Sequence, residues 1–418
     1  MKKLIVPLIV VIFLILVISL GTVTNQESPG FLSKVDFNKN NYKKIISANN
    51  QLGFDLLPNA RANKDGNKFI SPTSLLMALS MVYNGADGVT KKEMAKVFHA
   101  EGIEVKQLNK SNASLMTMLQ SDSKHSQLHI ANSIWLNNHF HFQDDFAQNN
   151  GDYYNAKIQQ MDPSNPQTPK IINDWVEKST NGKINKMIGR TDIDPNTVSF
   201  LINAIYFKGD WMHEFDKKLT ENRTFHLDDE TSKDMQIMTL IEKVAYIENK
   251  DFQAVTLPYA AGKMNMIVFL PSENSSLEEF EKMITNENWE KWKSEFHEKE
   301  GTVLLPKFQV EYKAEWNEAL KKLGMTSAFN ENEANFTKMI KESSPVWISK
   351  IKQKTFINVN EEGSEAAAAT LVKMKTKSAP VAEPFHMDIN HPFFMAITDN
   401  VTGAILFMGA ISNPHKGK

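Results

Sequence analysis

Residues 198–207 read VSFLINAIYF, apolar on both faces around a single amide, Asn203. A run of that length with no exposed polar face is what a central strand, covered on both sides, requires. Working outward, Met264 to Leu270, Thr302 to Leu305 and Ala404 to Met408 are shorter runs of the same kind. Helical signals interleave with them. Ser71-Pro72-Thr73 supplies an N-cap followed by proline in a first turn, Leu75, Leu76, Leu79 and Val82 recur at helical spacing, and Asn84-Gly85 closes the segment. Ile171 to Ser179, ended by Asn181-Gly182, and Trp316 to Leu323, closed by Gly324, read as further helices. Helices and strands alternate without a regular βαβ rhythm, so the fold class is α+β.

The chain has 418 residues, with 47 Lys+Arg against 49 Asp+Glu and no cysteine. The near-neutral balance leaves no electrostatic footprint for nucleic acid. Without cysteine there are no disulfides, thiol nucleophiles or Cys-based metal sites. No Pro/Gly/Ser-rich stretch divides the chain after about Tyr42, and no 20–50-residue repeat is present, which favours one large domain over 42–418. Residues 1–23 differ in kind. Lys2 and Lys3 precede the uncharged run Leu4 to Ile18, followed by Ser19-Leu20-Gly21. This is the layout of a signal peptide, and it is also about long enough to remain as a membrane anchor. Residues 24–41 are polar and read as a linker. The expected location is secreted, or held at the cell surface by the N-terminal segment.

Catalytic motifs are missing. There is no G-x-S-x-G, Walker loop or G-x-G-x-x-G. His125 and His129 lack the Glu of H-E-x-x-H and read as part of a solvated helix or loop. His139 and His141 alternate as on a strand but have no third ligand nearby, so no metal site is expected. Lys350, Lys352 and Lys354 alternate along a strand and read as its solvated face. Six N-x-S/T sequons, at Asn109, Asn112, Asn222, Asn274, Asn335 and Asn400, matter only in a host that glycosylates exported proteins.

One stretch carries a mechanism. Residues 363–377 read GSEAAAATLVKMKTK. Even positions from Ser364 to Thr376 are uncharged, and every charge (Glu365, Lys373, Lys375, Lys377) falls on an odd position. A strand puts alternate side chains on opposite faces, so this segment can enter a sheet with its even face against a core and its odd face in water. Ser378-Ala379-Pro380-Val381-Ala382-Glu383-Pro384 follows, with the composition of an exposed, protease-accessible loop.

At this point the chain resembles the serpins. The resemblance spans roughly residues 42–414 and rests on eight blocks in register: NKFISPTSLLMALSMVYNGADGVT (67–90), INDWVEKSTNGKI (172–184), FLINAIYFKGDW (200–211), LPY (257–259), LPKFQVEY (305–312), LKKLGMTSAF (320–329), NVNEEGSEAAAAT (358–370) and HPFFMAITDNVTGAILFMGAISNP (391–414). It implies a serpin fold of three β-sheets and eight or nine helices, with an exposed reactive loop near the C-terminus. It also implies suicide inhibition. A target serine attacks the bait carbonyl, and the cut loop then enters the main sheet as a new strand and carries the acyl-enzyme with it. The protease supplies the chemistry, so no catalytic residue and no cofactor is expected in this chain.

Carried over by motif, Glu361, Glu362, Gly363, Ser364, Glu365, Ala366, Ala367, Ala368 and Ala369 match the loop hinge. The usual loop length places the reactive bond at Lys377–Ser378, which implies a trypsin-like serine protease as partner; slips of one or two residues would give Thr376 or Lys375. Ser71, Ser74 and Asn203 match the polar cluster that controls sheet opening, and Trp211 the top of that sheet. Gln353 departs from the pattern, since family members often carry histidine there; glutamine keeps hydrogen-bonding capacity but does not titrate. A monomer is expected. The alternatives are a serpin-fold binding protein that traps nothing, or an inhibitor of a cysteine protease.

Overall fold

A computed structural model of the chain describes residues 36–119, 125–364 and 383–416. Residues 1–35, and with them the signal or anchor segment and most of the linker, lie outside the described residues. So do Glu365 to Ala369 of the hinge and the Lys377–Ser378 bond.

Nine α-helices occur among the described residues. They are α1 (Ile46–Asn59), α2 (Pro72–Tyr83), α3 (Gly88–Val97), α4 (Val105–Leu119), α5 (Asp144–Tyr154), α6 (Thr168–Ser179), α7 (Leu277–Met283), α8 (Asn286–Glu295) and α9 (Asn317–Lys322). The first eight strands are β1 (Lys68–Ile70), β2 (Ser126–Asn137), β3 (Lys157–Met161), β4 (Ser199–Asp210), β5 (Glu221–His226), β6 (Ser232–Glu248), β7 (Phe252–Pro258) and β8 (Met264–Pro271). The remaining eight are β9 (His297–Pro306), β10 (Phe308–Glu315), β11 (Lys350–Val359), β12 (Gly363–Ser364), β13 (Phe385–Asp388), β14 (Phe393–Asp399), β15 (Ile405–Ile411) and β16 (His415–Lys416).

Seven strands form one sheet in the order β16-β10-β11-β12-β4-β2-β3. The other nine are ordered β1-β15-β14-β8-β7-β6-β9-β13, with β5 on β6. The long β6 belongs to two parts of this assembly. Its start pairs β5 and its middle pairs β9, while its last residues, Ala245 to Glu248, pair β7. This shared strand joins by hydrogen bonds two of the three sheets that the family resemblance implies, and the seven-stranded sheet is the third.

The α2 helix shows how local chemistry places an element. The Ser71 hydroxyl accepts from the Ser74 N–H (3.2 Å), and Pro72 in the first turn has no N–H to satisfy, so the buried start of the helix leaves fewer orphan donors. All twelve residues of the helix are buried, as expected for a helix that is apolar nearly all round. It runs beneath the seven-stranded sheet. On that sheet's opposite face α6 covers β2 and β4, with Trp135 and Trp175 edge to face at 6.2 Å. The α6 helix stops at Asn181 and Gly182, whose φ values of 51° and 78° turn the chain out of the helix.

Phe200, Ile202 and Ala204 of β4 are buried under α6 and residues 184–188. One expectation is corrected here: the histidines lie elsewhere than expected. His129 sits on β2, 3.1 Å from the Asn181 side chain, with its ring stacked near Tyr206. His139 and His141 follow the end of β2, and His141 Nδ1 lies 2.7 Å from Glu342.

Candidate functional site: a seam in the seven-stranded sheet

The β4 and β11 strands lie side by side and parallel from Lys350↔Phe200 to Phe356↔Tyr206. Beyond that point they part. The two-residue β12 fills the gap, antiparallel to both, with Gly363↔Asp210 and Ser364↔Gly209 on one side and Ser364↔Val359 on the other. The sheet is thus a closed parallel seam below and a strand wedge above, and the wedge is the first two residues of the segment whose parity suits insertion.

A tight turn delivers the wedge. The Asn360 side chain accepts from the N–H groups of Glu362 (3.0 Å) and Gly363 (3.1 Å), while Asn360 N–H donates to Gly363 O (2.9 Å). Glycine is required at two facing positions. A Cβ on Gly363 would stand 2.1 Å from Gly209 O, and one on Gly209 would stand 2.7 Å from both Phe207 and Tyr259 ring atoms. Ser364 is fully buried, with its hydroxyl 2.7 Å from that of Tyr259. Burial raises the Tyr259 phenol above its ordinary range, so it remains a neutral hydrogen-bonding partner.

Trp211 closes the top. Its ring stacks on Tyr259 at 4.6 Å, its indole N–H donates to Asn360 O (2.9 Å), and its backbone N–H donates to Glu362 O (2.8 Å). Glu361 is held by Lys307 (3.2 Å) and by the Thr220 hydroxyl (3.0 Å). Burial works to raise the Glu361 carboxyl, but its own backbone N–H together with Lys307 and Thr220 outweighs that and leaves it below its ordinary value. Glu362 pairs with Lys217, which that pairing raises.

Midway down, three carboxamides stand in one row across β2, β4 and β11: Asn132, Asn203 and Gln353 are register partners. Asn203 Nδ2 donates to Asn132 Oδ1 (2.6 Å), to Ser74 O (3.1 Å) and to the Ser74 hydroxyl. Gln353 Nε2 donates to Asn203 Oδ1 (2.7 Å) and to Ser71 O (2.9 Å), and its carbonyl accepts from Ser71 N–H (3.2 Å). Ser71, Ser74, Asn203 and Gln353 are all fully buried. Glutamine thus ties β11 both to β4 and to the cap of α2. None of these amides titrates, so the row has the same charge at every ordinary pH.

The lysines of β11 require another correction. Lys352 and Lys354 are not a solvated face: each side chain is only 4% exposed. Residues 184–192 cover them. Lys352 pairs with Asp192 and reaches Glu315 (3.6 Å); Lys354 pairs with Glu311 (2.7 Å) and donates to Lys186 O (3.1 Å). Lys350 donates to Asp192 O (3.1 Å), and Lys313 of β10 lies 3.7 Å from the same carboxylate. Burial works to raise the Asp192 carboxyl, but the Gly189 N–H and Lys352 outweigh it and hold it below its ordinary value.

The predicted residues that are described therefore fall in two places on one seam: Glu361, Glu362, Gly363, Ser364 and Trp211 at its open end, and Ser71, Ser74, Asn203 and Gln353 at its middle. Sequence reasoning missed Gly209, Tyr259, Lys307, Asn132 and Asp192. The blocks FLINAIYFKGDW, LPY and LPKFQVEY contain three of them, Gly209, Tyr259 and Lys307, without assigning a role. Among the described residues no group of three or more His, Cys, Asp or Glu side chains is placed to hold a metal, and no helix is long and apolar enough to cross a membrane.

Comparison with known proteins gives a consistent result. The profile of the family described as Serpin (serine protease inhibitor) matches residues 47–414. Serpin B11 of Homo sapiens is 33% identical over 403 residues, covering 88% of this chain and 99% of that one. Among solved structures, the thermophilic serpin tengpin in its native state superposes with a TM-score of 0.82 at 32% identity, over 91% of this chain and 96% of that one. Human thyroxine-binding globulin, solved with its hormone, superposes with a TM-score of 0.81 at 25% identity, over 90% of this chain and all of that one.

Proposed function

The chain belongs to the serpin family, the serine protease inhibitors, and we propose that it is an exported inhibitory member that traps trypsin-like serine proteases by inserting its cleaved loop between β4 and β11. The observation that carries this reading is the wedge: Gly363 and Ser364 already pair with both strands, above a parallel seam that has no third strand between its members. A parallel pair closed on itself forgoes the antiparallel ladder that an inserted strand would complete on both sides.

In the inserted form the register set by Ser364 continues. Six residues on, Thr370 falls opposite Asn203 and Gln353, because those lie six residues back from Gly209 and Val359, the two partners of Ser364. The Gln353–Asn203 hydrogen bond must open to admit it. Ala366 and Ala368, ahead of it on the same face, are small enough to pass Phe207, Ile357 and Ile205. The acyl bond to the protease survives because dragging the enzyme along the sheet distorts its oxyanion hole and triad, without which deacylation slows by orders of magnitude.

The same fold binds thyroxine in thyroxine-binding globulin, so the fold alone does not select trapping. The hinge favours trapping here, since it has neither proline nor an even-position charge between Gly363 and Thr376. Lys377 suits a specificity pocket that holds a carboxylate. Export rests on Lys2 and Lys3 followed by Leu4 to Ile18. The test is a denaturing gel of the protein mixed with trypsin, with mass spectrometry of the released peptide. A heat-stable band at the summed mass and a peptide beginning at Ser378 are expected; complete cleavage without such a band would overturn the reading.

A further inference from the structure

The cover over β11 is attached to the other half of the sheet. Asn173 of α6 accepts from the N–H groups of Met187 (2.8 Å) and Ile188 (2.9 Å) and donates to Ile188 O (2.8 Å). Ile184, Met187 and Ile188 pack with Phe200 and Ile202 of β4 and with α6. Residues 184–192 therefore belong with β2, β4 and α6. The four lysines that grip this segment, Lys313, Lys350, Lys352 and Lys354, belong to β10 and β11. The contacts cross the seam.

We propose that Asp192, with Lys352, Lys350 and Lys313, is an ionic strap across the β4–β11 seam that sets how fast the sheet opens. This rests on the insertion reading above. Admitting a strand moves β11 away from β4 by one strand spacing, about 4.8 Å. A contact-distance ion pair between Lys352 and Asp192 cannot survive that displacement while Asp192 stays with α6. The strap thus stabilises the closed sheet and is lost in the open one. Asp192 is a positioning residue: it touches neither loop nor protease, and acts through the lysines of β10 and β11.

The sign follows from burial. Replacing Asp192 by Asn leaves the buried Lys352 ammonium only Glu315, 3.6 Å away, in the closed sheet, whereas the open sheet has already lost the Asp192 pair. Opening becomes easier and the closed protein less stable. Replacing Lys352 by Met removes the buried member of the strap and leaves Lys350 and Lys313 beside Asp192, so opening eases with little loss of thermal stability. A control pair lies off the seam itself. Glu281 of α7 pairs with Lys68 of β1 at 2.8 Å with both side chains largely buried, and neither residue belongs to β4 or β11.

The experiment measures uptake of a synthetic peptide, SEAAAATLVKMKT (residues 364–376), by the full-length protein, alongside Tm and the ratio of trapped to cleaved product with trypsin. D192N and K352M are expected to take up peptide about tenfold faster than wild type, and D192E to stay near the wild-type rate. E281Q should lower Tm with uptake unchanged. Wild-type uptake rates in both D192N and K352M, or acceleration by E281Q as large as theirs, would overturn the strap while leaving trapping by the parent protein intact. If neither the parent nor any variant takes up peptide or traps trypsin, the insertion reading itself fails, and the strap with it.

Discussion

The two sheets are held by different physics. At the centre of the nine-stranded sheet, β14 and β15 are buried along their whole length, and Phe269 on β8 lies edge-on or tilted against Phe252, Phe280, Trp289, Trp292, Phe296 and Phe394 at centroid distances of 5.2–6.4 Å. At the centre of the seven-stranded sheet stand an amide row and a set of buried charges. Interlocked aromatic rings cannot part without opening voids, and every methylene exposed costs free energy. Hydrogen bonds and ion pairs can be exchanged for others of similar worth if a new strand supplies partners. The difference teaches where the molecule is built to stay shut and where it is built to open.

The sharpest way to break that comparison is at the wedge. Ser364→Arg would put a guanidinium where a fully buried hydroxyl meets Tyr259. Burying that charge unpaired costs several kcal/mol, so the ratio of trapped to cleaved product should fall by at least ~100-fold while cleavage itself persists. Gel quantification of the two products reads this directly; an unchanged ratio would show that insertion does not begin at Ser364.

A paired substitution sharpens it further. Phe269→Ala should lower unfolding stability by about 3–5 kcal/mol and leave the trapping ratio alone. Asn203→Ala removes a donor to Asn132, Ser74 and an acceptor for Gln353. It should cost less in urea unfolding, about 1–3 kcal/mol, yet change the trapping ratio or the rate of spontaneous insertion. If the aromatic variant alters trapping as much as the amide variant does, the division of labour between the sheets is wrong.

How much of this could be read in advance varies with sequence distance. The central strand around Asn203 and the capped helix at Ser71 are local patterns, and each appears in the fold where local chemistry puts it. The serpin blocks identify Trp211 and the hinge together, although no single periodicity links them, and Gln353, outside the blocks, stands out only as a departure from the family's histidine. The buried lysines show the limit. Alternation at Lys350, Lys352 and Lys354 looks like a wet strand face, because the carboxylate that neutralises Lys352 lies 160 residues away at Asp192. Nor does any local signal announce that Lys307 and Thr220 will meet Glu361, since those contacts exist only once the end of β9, the start of β5 and the end of β11 have been brought together.

The smallest effect concerns those last contacts. The folded-state Glu361 carboxyl sits below its ordinary value of 4.5, held by its backbone N–H, Lys307 and Thr220. A depressed carboxyl contributes stability that is fully present above its unfolded value and is lost as pH falls through the folded one. The tie at the root of the hinge should therefore be intact at neutral pH and weaken only below about pH 4.5. The amide row beneath has no titrating member, so nothing in it should add a transition between pH 5 and 8. Peptide uptake followed from pH 8 to pH 3.5 should stay flat across the neutral range and rise modestly at the acid end. Glu361→Gln should flatten that acid rise by removing the titrating group. An acid rise that survives Glu361→Gln undiminished would place the pH-sensitive tie elsewhere on the seam, and Asp192, whose carboxyl is also held low, would be the next to replace.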